Sequence, residues 1–135
     1  MIVVDASIIA PTVLIDEEPW PGHVAMRLTA GPLAAPPHWS VEVVNLLHVA
    51  ERRGRLTRAG RQAAIEKMRD FGVVTSLLAP DAGWMGISAL ADRHGLTAYD
   101  AAYLHLALTS GASLASLDRA LITAAASYDL DVVTY

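Results

Sequence analysis

The sequence contains no cysteine and only one lysine, Lys67. Without cysteine the chain forms neither disulfide bonds nor thiolate metal sites, which is consistent with a reducing cytoplasm. No apolar run approaches the roughly 18 residues that a membrane-spanning helix needs, because charged residues, proline or glycine interrupt every candidate. No basic segment followed by an apolar one marks a secretory signal. We therefore expect a cytoplasmic protein with no membrane segment.

Positive charge is also scarce, since the formal net charge is −4 at pH 7. A strongly basic field that attracts nucleic acid to the whole surface is thereby excluded. The exception is one local basic patch within ten residues, formed by Arg52, Arg53, Arg55, Arg58 and Arg61. This patch is either a solvated corner between two helices or a contact surface for an RNA backbone or an acidic protein segment.

Five short apolar or β-branched segments have the composition of strands, and helical segments lie between them. The predicted strands are 2–4, 33–35, 73–78, 112–116 and 132–134. The predicted helices are 7–15, 22–29, 38–53, 58–71, 80–93, 97–108 and 118–127. Such alternation predicts the α/β class, with a mostly parallel central sheet and helices on both faces. With 135 residues and no linker, we expect one domain over residues 1–135.

Two predicted helices have informative details. Pro11 should delay or kink the first helix, because proline removes a backbone donor. In the helix 38–53, the spacing of Val41, Val44 and Leu47 predicts the buried face, and Glu42 and Asn45 share another face.

Four acidic residues are placed where an α/β sheet binds its ligands. Asp5 and Asp118 follow predicted strands, whereas Glu42 and Asp100 lie in the early turns of helices. In a doubly wound sheet all four approach one crevice at the carboxyl edge. Each also has an ordinary explanation as a helix cap, an acid near a helix N-terminus or a solvated side chain. For Asp100 the apolar residues that follow it predict a buried helix, in which a carboxylate needs a partner.

The partner that best suits clustered carboxylates here is a divalent cation. No lysine follows Lys67, and Arg119 is the only arginine after Arg93. Carboxylates brought together raise one another's pKa values unless a cation neutralises them. Oxygen ligands without cysteine or clustered histidine suit Mg²⁺ or Mn²⁺. Such an ion polarises phosphodiesters and activates water, which is the chemistry of a nuclease.

Four motifs in this order and spacing resemble the PIN-domain ribonucleases, and the chain length resembles that of VapC-type toxins. The motifs are residues 3–7 around Asp5, residues 36–46 with Glu42 and Asn45, residues 96–103 around Asp100, and residues 116–118. The resemblance spans nearly the whole chain and implies a PIN-like three-layer α/β/α fold.

The resemblance also implies roles for particular residues. Asp5, Glu42, Asp100 and Asp118 match the catalytic, metal-binding acids that use Mg²⁺ or Mn²⁺ to cleave single-stranded RNA. Ser7 and Ser116 match supporting hydroxyl positions, with serine at 116 where threonine is commoner, and Asn45 matches a polar neighbour. A cognate antitoxin protein and a toxin homodimer are implied as partners.

The expected roles of several other side chains do not depend on the resemblance. Arg52, Arg53 and Arg55 are candidates for contact with RNA or antitoxin. The five histidines lack ligand spacing and are expected to be structural or exposed. Trp20, Trp39 and Trp84 are expected to fill a core or an interface, with the alternative that a tryptophan near Glu42 stacks on an RNA base.

Two other classes of protein compete with the nuclease hypothesis. A receiver-like phosphoacceptor domain is also a small doubly wound unit, but it needs a late lysine that this chain lacks. A non-catalytic interaction module with the same fold is the second alternative, and the complete set of four acids argues against it.

Overall fold

A computed structural model describes residues 1–14, 16–75 and 80–135 of the chain. Five strands form one parallel sheet in the order β3-β2-β1-β4-β5. These strands are β1 (Ile2–Val4), β2 (Leu33–Ala35), β3 (Val74–Thr75), β4 (Ser113–Ala115) and β5 (Val132–Val133). All five predicted strands are therefore confirmed, although residues 76–78 of the third prediction lie outside the described residues.

Helices cover the sheet in a three-layer α/β/α arrangement, which confirms the predicted fold class. They are α1 (Ala6–Ile9), α2 (Gly22–Thr29), α3 (Trp39–Arg52), α4 (Arg58–Asp70), α5 (Pro80–His94), α6 (Ala98–Ser110) and α7 (Arg119–Ala126). None of the described helices combines the length and apolar character that crossing a bilayer requires.

The first predicted helix is shorter than expected. The α-helix ends at Ile9, and a 3-10 turn over Ala10–Thr12 carries Pro11 near its start. Proline has no N–H to continue the α-helical hydrogen bonds, which explains the change of helix type at this point. Residue 15, the predicted end, lies outside the described residues.

The centre of the sheet is the most apolar part of the fold. Strand β1 is buried along its full length, as its continuous β-branched run predicts. It lies between β2 and β4, so the direction in which the chain adds strands reverses at β1. Crevices at the carboxyl ends of strands at such a reversal are the usual ligand sites of open α/β sheets. Asp5 follows β1 at this position.

The predicted buried face of α3 is wrong at Val41 and Val44 and right at Leu47. Val41 is 68% exposed and Val44 is 39% exposed, whereas the buried stripe is Trp39, Val43, Leu47 and Ala50. Both stripes have helical spacing, and the contacts of α3 with α1 and α4 select the second one.

Helix α6 passes along the buried centre and presents Asp100 to the carboxyl edge. Its side chains from Ala101 to Leu104 are buried, as predicted, but Asp100 in the first turn is only half-buried. Helix α5 packs closely against α6 because Gly86 has no side chain, and an added Cβ there would lie 2.4 Å from the His105 ring.

Candidate active site

Asp5 is held at the carboxyl end of β1 by backbone and side-chain hydrogen bonds. Its N–H donates to the Ala115 carbonyl, which fixes the residue beside the end of β4. The carboxylate is 8% exposed, and its Oδ2 accepts hydrogen bonds from the hydroxyls of Ser7 at 2.5 Å and Ser116 at 2.7 Å. No described residue donates to Oδ1, which leaves that oxygen available to a ligand.

The two serines are themselves oriented by the backbone. The Leu117 N–H donates to Ser7 Oγ, and the Asp118 N–H donates to Ser116 Oγ, both at 2.9 Å. Because each hydroxyl accepts one of these bonds, its own hydrogen is directed toward Asp5. The predicted supporting positions Ser7 and Ser116 therefore both contact Asp5.

Glu42 lies in the first turn of α3, and its carboxylate faces α6. The Tyr103 hydroxyl donates to Glu42 Oε2, and His38 Nε2 lies 3.6 Å from the same oxygen. Burial raises the pKa of Glu42, and the negative charges of Asp5 and Asp100 raise it further, while Tyr103 and His38 oppose the rise. Burial and the Glu42 carboxylate likewise raise the pKa of the Tyr103 hydroxyl.

Asp100 belongs to a capping arrangement at the start of α6. Its backbone N–H donates to Thr97 Oγ1 at 3.1 Å, and the Thr97 hydroxyl donates to Asp100 Oδ2 at 2.6 Å. The predicted capping role is thus present. It does not remove Asp100 from the acidic group, because its charge acts on both Glu42 and Tyr103.

Asp118 lies two residues beyond Ser116 and is exposed. Its Oδ1 accepts a hydrogen bond of 2.9 Å from the Leu121 N–H and caps α7. The described contacts link Asp118 to Asp5 through Ser116, by way of the backbone N–H rather than the carboxylate.

The four acids therefore divide into a group of three and a neighbour. Asp5 and Asp100 lie close enough to Glu42 for their negative charges to raise its pKa, and Asp118 flanks the three as a helix cap. Within residues 1–14, 16–75 and 80–135, no three histidine or acidic side chains are arranged closely enough to hold a metal ion. The donor set itself fits a hard divalent cation, since it offers carboxylate oxygens and an Asp5 Oδ1 without a described donor.

Two residues of this site are missed by the sequence reasoning. His38 has the structural role expected of it, since it packs edge-on against Tyr99 and Tyr103 with ring centroids 5.3 and 5.2 Å apart, but its place beside Glu42 was not predicted. Tyr103 looks like one more apolar residue of α6. The one feature of the sequence that points to a role for Tyr103 is its place within the motif around Asp100.

A cleft of about 320 Å³ opens beside Glu42. Its lining residues are His38, Val41, Glu42, Asn45 and Tyr99. Asn45, predicted as a supporting residue, is exposed here, and the described side-chain donors to Asp5 are Ser7 and Ser116 instead.

The tryptophans take different positions. Trp39 is only 6% exposed, so it fills the core and the alternative that it stacks on an RNA base is wrong. Trp20 is half-buried, and its Nε1 donates to the Ile8 carbonyl at 2.6 Å. Trp84 is 78% exposed, which fits an interface rather than the core.

The basic patch lies at the other end of α3 from Glu42. Ten residues separate Glu42 from Arg52, which is about 15 Å along a helix. Arg55 forms ion pairs with Asp16 and Glu17, both at 2.7 Å, and Arg61 pairs with Glu51. Arg52 and Arg53 are exposed and have no ion pair with any described residue.

Comparison with known proteins identifies the family to which this fold belongs. The family model of the PIN domain matches residues 2–127, which include all four acids. The chain therefore belongs to the PIN-domain family.

Within this family the chain is similar to VapC proteins. Ribonuclease VapC3 of Mycobacterium tuberculosis is 35% identical over 105 residues, which cover 75% of this chain and 71% of that protein. The structure of PAE2754 from Pyrobaculum aerophilum is 26% identical, with a TM-score of 0.68, and the match covers 91% of this chain and 83% of that one.

Two further structures share the fold at lower identity. FitAcB from Neisseria gonorrhoeae is 16% identical with a TM-score of 0.65, and the match covers 99% of this chain and 97% of that one. VapC20 of Mycobacterium tuberculosis, described as a toxin that cleaves the sarcin-ricin loop, is 19% identical with a TM-score of 0.64. That match covers 92% of this chain and 95% of VapC20.

Proposed function

We propose that this protein is a divalent-metal-dependent endoribonuclease that cleaves single-stranded regions of RNA and acts as the toxin of a toxin–antitoxin pair. The observation that carries the proposal is the hydroxyl-oriented Asp5 beside Glu42 and Asp100 in a member of the PIN-domain family. The similarity to Ribonuclease VapC3 supports RNA as the substrate class. It also favours nuclease activity over the phosphoacceptor alternative.

In this proposal Asp5, Glu42, Asp100 and Asp118 hold Mg²⁺ or Mn²⁺. A bound divalent ion supplies Lewis-acid polarisation of the phosphodiester and activation of water. Asp5 offers Oδ1 because Ser7 and Ser116 occupy Oδ2, and Tyr103 fixes one oxygen of Glu42. The raised pKa of Glu42 supports the need for a cation, because a nearby positive charge favours its ionised form.

The catalytic step we propose is attack of water on phosphorus. The water loses a proton to a carboxylate of the acidic group, the new P–O bond forms, and the bond to the leaving ribose oxygen breaks as that oxygen gains a proton. The products then carry a phosphate at one end and a hydroxyl at the other. Attack by a ribose 2′-hydroxyl would instead leave a 2′,3′-cyclic phosphate.

Partners are part of the proposal. We infer a cognate antitoxin protein and a toxin homodimer in the cytoplasm, as the resemblance to VapC-type toxins implies. Exposed apolar side chains on α5, Trp84 at 78% and Met85 at 75%, are consistent with a protein interface. The domain proposed to carry this activity is residues 1–135.

Purified protein with Mg²⁺ or Mn²⁺ should cut RNA at discrete single-stranded positions and leave no cyclic phosphate. Asp5→Asn and Asp100→Asn should abolish cutting while circular dichroism shows a folded chain. Chelation by EDTA should stop the parent, and restored Mg²⁺ should restart it. If both variants cut like the parent, the proposed site is wrong.

A further inference from the structure

The cleft beside Glu42 contains an exposed aromatic ring whose position is supported by its neighbours. Tyr99 is 63% exposed although it directly precedes Asp100 in α6. Its ring packs edge-on against His38, at an interplanar angle of 65°, and His38 in turn packs against Tyr103. Helix α6 and this row of rings therefore hold Tyr99 at the cleft, where one side of the ring remains accessible to solvent.

The chemistry of the lining selects for an uncharged flat ligand. The described lining contains one carboxylate, Glu42, with the His38 imidazole beside it, but no arginine or lysine that would attract a phosphate. Val41 adds an apolar surface that is 68% exposed, and the exposed Asn45 carboxamide both donates and accepts hydrogen bonds. Aromatic stacking combined with amide hydrogen bonds is how proteins recognise unpaired bases of single-stranded nucleic acid.

The cleft lies next to the acids that are proposed to act on the phosphate. Glu42 belongs both to the cleft and to the group it forms with Asp5 and Asp100. A volume of about 320 Å³ is at the lower end of the range of about 300–1,000 Å³ for small-ligand sites. One base therefore fits beside the acids while its backbone continues past them.

We propose that this cleft is a nucleobase subsite, in which Tyr99 stacks on an unpaired base of the RNA and Asn45 hydrogen-bonds to its edge. The proposal rests on the ribonuclease function proposed above and specifies how the substrate is held. It assigns the aromatic contact to Tyr99 in place of the buried Trp39. It also gives a physical reason for single-stranded specificity, because a paired base in a duplex cannot present its face.

The test measures binding of a short single-stranded RNA containing 2-aminopurine to the non-cleaving Asp5→Asn protein. Adding Tyr99→Ala should weaken binding roughly ten-fold or more, because one stacked base contributes that much. Tyr99→Phe keeps the ring, so the protein with Asp5→Asn and Tyr99→Phe should bind the RNA within about two-fold of the Asp5→Asn protein. Tyr135→Ala is the matched control, since Tyr135 is exposed but lies near Glu17 and Glu18 rather than in the cleft.

Two readouts separate stacking from a general loss of structure. Binding should quench 2-aminopurine fluorescence with tyrosine or phenylalanine at position 99 but not with alanine. A second experiment uses a series of RNAs, each with one abasic nucleotide at a different position. In one RNA of the series the base that stacks on Tyr99 is missing, and for that RNA Tyr99→Ala should cause no further loss of binding. Equal binding and quenching by the parent and Tyr99→Ala would overturn the subsite.

The outcomes also separate this inference from the proposed function. If the parent cleaves RNA but Tyr99→Ala neither weakens binding nor changes quenching, the subsite is wrong and the nuclease proposal stands. If Tyr99→Ala weakens only the binding of a protein partner, the cleft belongs to that partner and the subsite is wrong. A parent that neither binds nor cleaves RNA with Mg²⁺ or Mn²⁺ overturns both.

Discussion

The orientation of the Asp5 carboxylate depends on the hydroxyl groups of Ser7 and Ser116. This dependence can be tested at Ser116, which is fully buried. Ser116→Ala removes a donor to Asp5 and the acceptor of the Asp118 N–H. An unsatisfied buried group costs about 1–3 kcal/mol, so the free energy of unfolding should fall by that amount. Loss of a residue that orients a metal ligand typically costs about 10–100-fold in metal affinity or activity. Calorimetry with Mg²⁺ and denaturant unfolding measure the two effects.

Two variants control the Ser116 prediction. Ser116→Thr retains the hydroxyl and should recover metal affinity even if its methyl group lowers stability. Ser110→Ala removes a hydroxyl that donates only to the Leu106 carbonyl at the end of α6, and it should leave metal affinity unchanged. Normal metal affinity in Ser116→Ala would show that Ser7 alone suffices to orient Asp5.

Glu42 gives a pH-dependent stability in the absence of metal. Its pKa is raised above the ordinary glutamate value of 4.5, mainly by burial, so the folded protein binds this proton more tightly than the unfolded chain does. The stability contribution is fully present below pH 4.5 and is lost as the pH rises through the folded-state pKa. Glu42→Gln should therefore be more stable than the parent at pH 7.

The measurement for Glu42 is urea unfolding in EDTA across this pH range. The difference between Glu42→Gln and the parent should shrink toward zero as the pH falls below 4.5. A less stable Glu42→Gln protein at pH 7 would mean that the Tyr103 hydrogen bond to the charged carboxylate outweighs the cost of burial. Excess Mg²⁺ should reverse the order in favour of the parent, if Glu42 is a ligand.

Helix α7 offers a way to separate the structural and catalytic roles of an acid. Asp118 caps this helix through the Leu121 N–H. Asparagine is as good an N-cap as aspartate, whereas alanine costs about 0.5–2 kcal/mol. Asp118→Asn should therefore keep the stability of the parent and lose RNA cleavage, while Asp118→Ala loses both. Thermal unfolding paired with a cleavage assay checks this, and full activity in Asp118→Asn would confine Asp118 to capping.

The sequence predicts where the helices and strands lie better than it predicts which face of a helix is buried. The strands and most helix ends follow from short apolar or β-branched runs, glycine and proline, which act locally. The buried face of α3 does not, because Val41, Val43, Val44, Leu46 and Leu47 offer more than one apolar stripe. Packing against α1 and α4 decides between the stripes, and that information lies elsewhere in the chain.

In the candidate site, too, local sequence patterns predict some residues but not the contacts between distant parts of the chain. The positions of Asp5 and Asp118 follow from strand ends, and the cap at Asp100 follows from Thr97. The contact between Tyr103 and Glu42 joins residues 61 positions apart, so no local pattern contains it. Sequence reasoning therefore predicts the acids but not the tyrosine and histidine that surround them.

Parallel strand order gathers the acids at one edge, while the exposed Arg52 and Arg53 of the basic patch lie at the other end of α3. Asp5 and Ser116 meet because β1 and β4 are neighbours where the strand order reverses. Arg52 and Arg53 lie at the far end of α3, about 15 Å from Glu42. An RNA strand held at both places would span about four nucleotides at the spacing of about 3.4 Å between phosphates along one strand of B-DNA, and fewer in a more extended strand. The acidic crevice and the basic patch are thus far enough apart to contact different phosphates of one strand.

This geometry predicts how salt should affect RNA binding. Each neutralised phosphate of a single strand contributes about −0.7 to the slope of log K against log salt concentration. Replacing both Arg52 and Arg53 with alanine should therefore make the slope shallower by about 1.4. Arg55→Ala is the matched control, because Arg55 pairs with Asp16 and Glu17 and should leave the slope unchanged. An unchanged slope in the Arg52→Ala/Arg53→Ala protein would reduce the patch to a solvated corner, and a change with Arg55→Ala alone would mean that its ion pairs open to bind RNA.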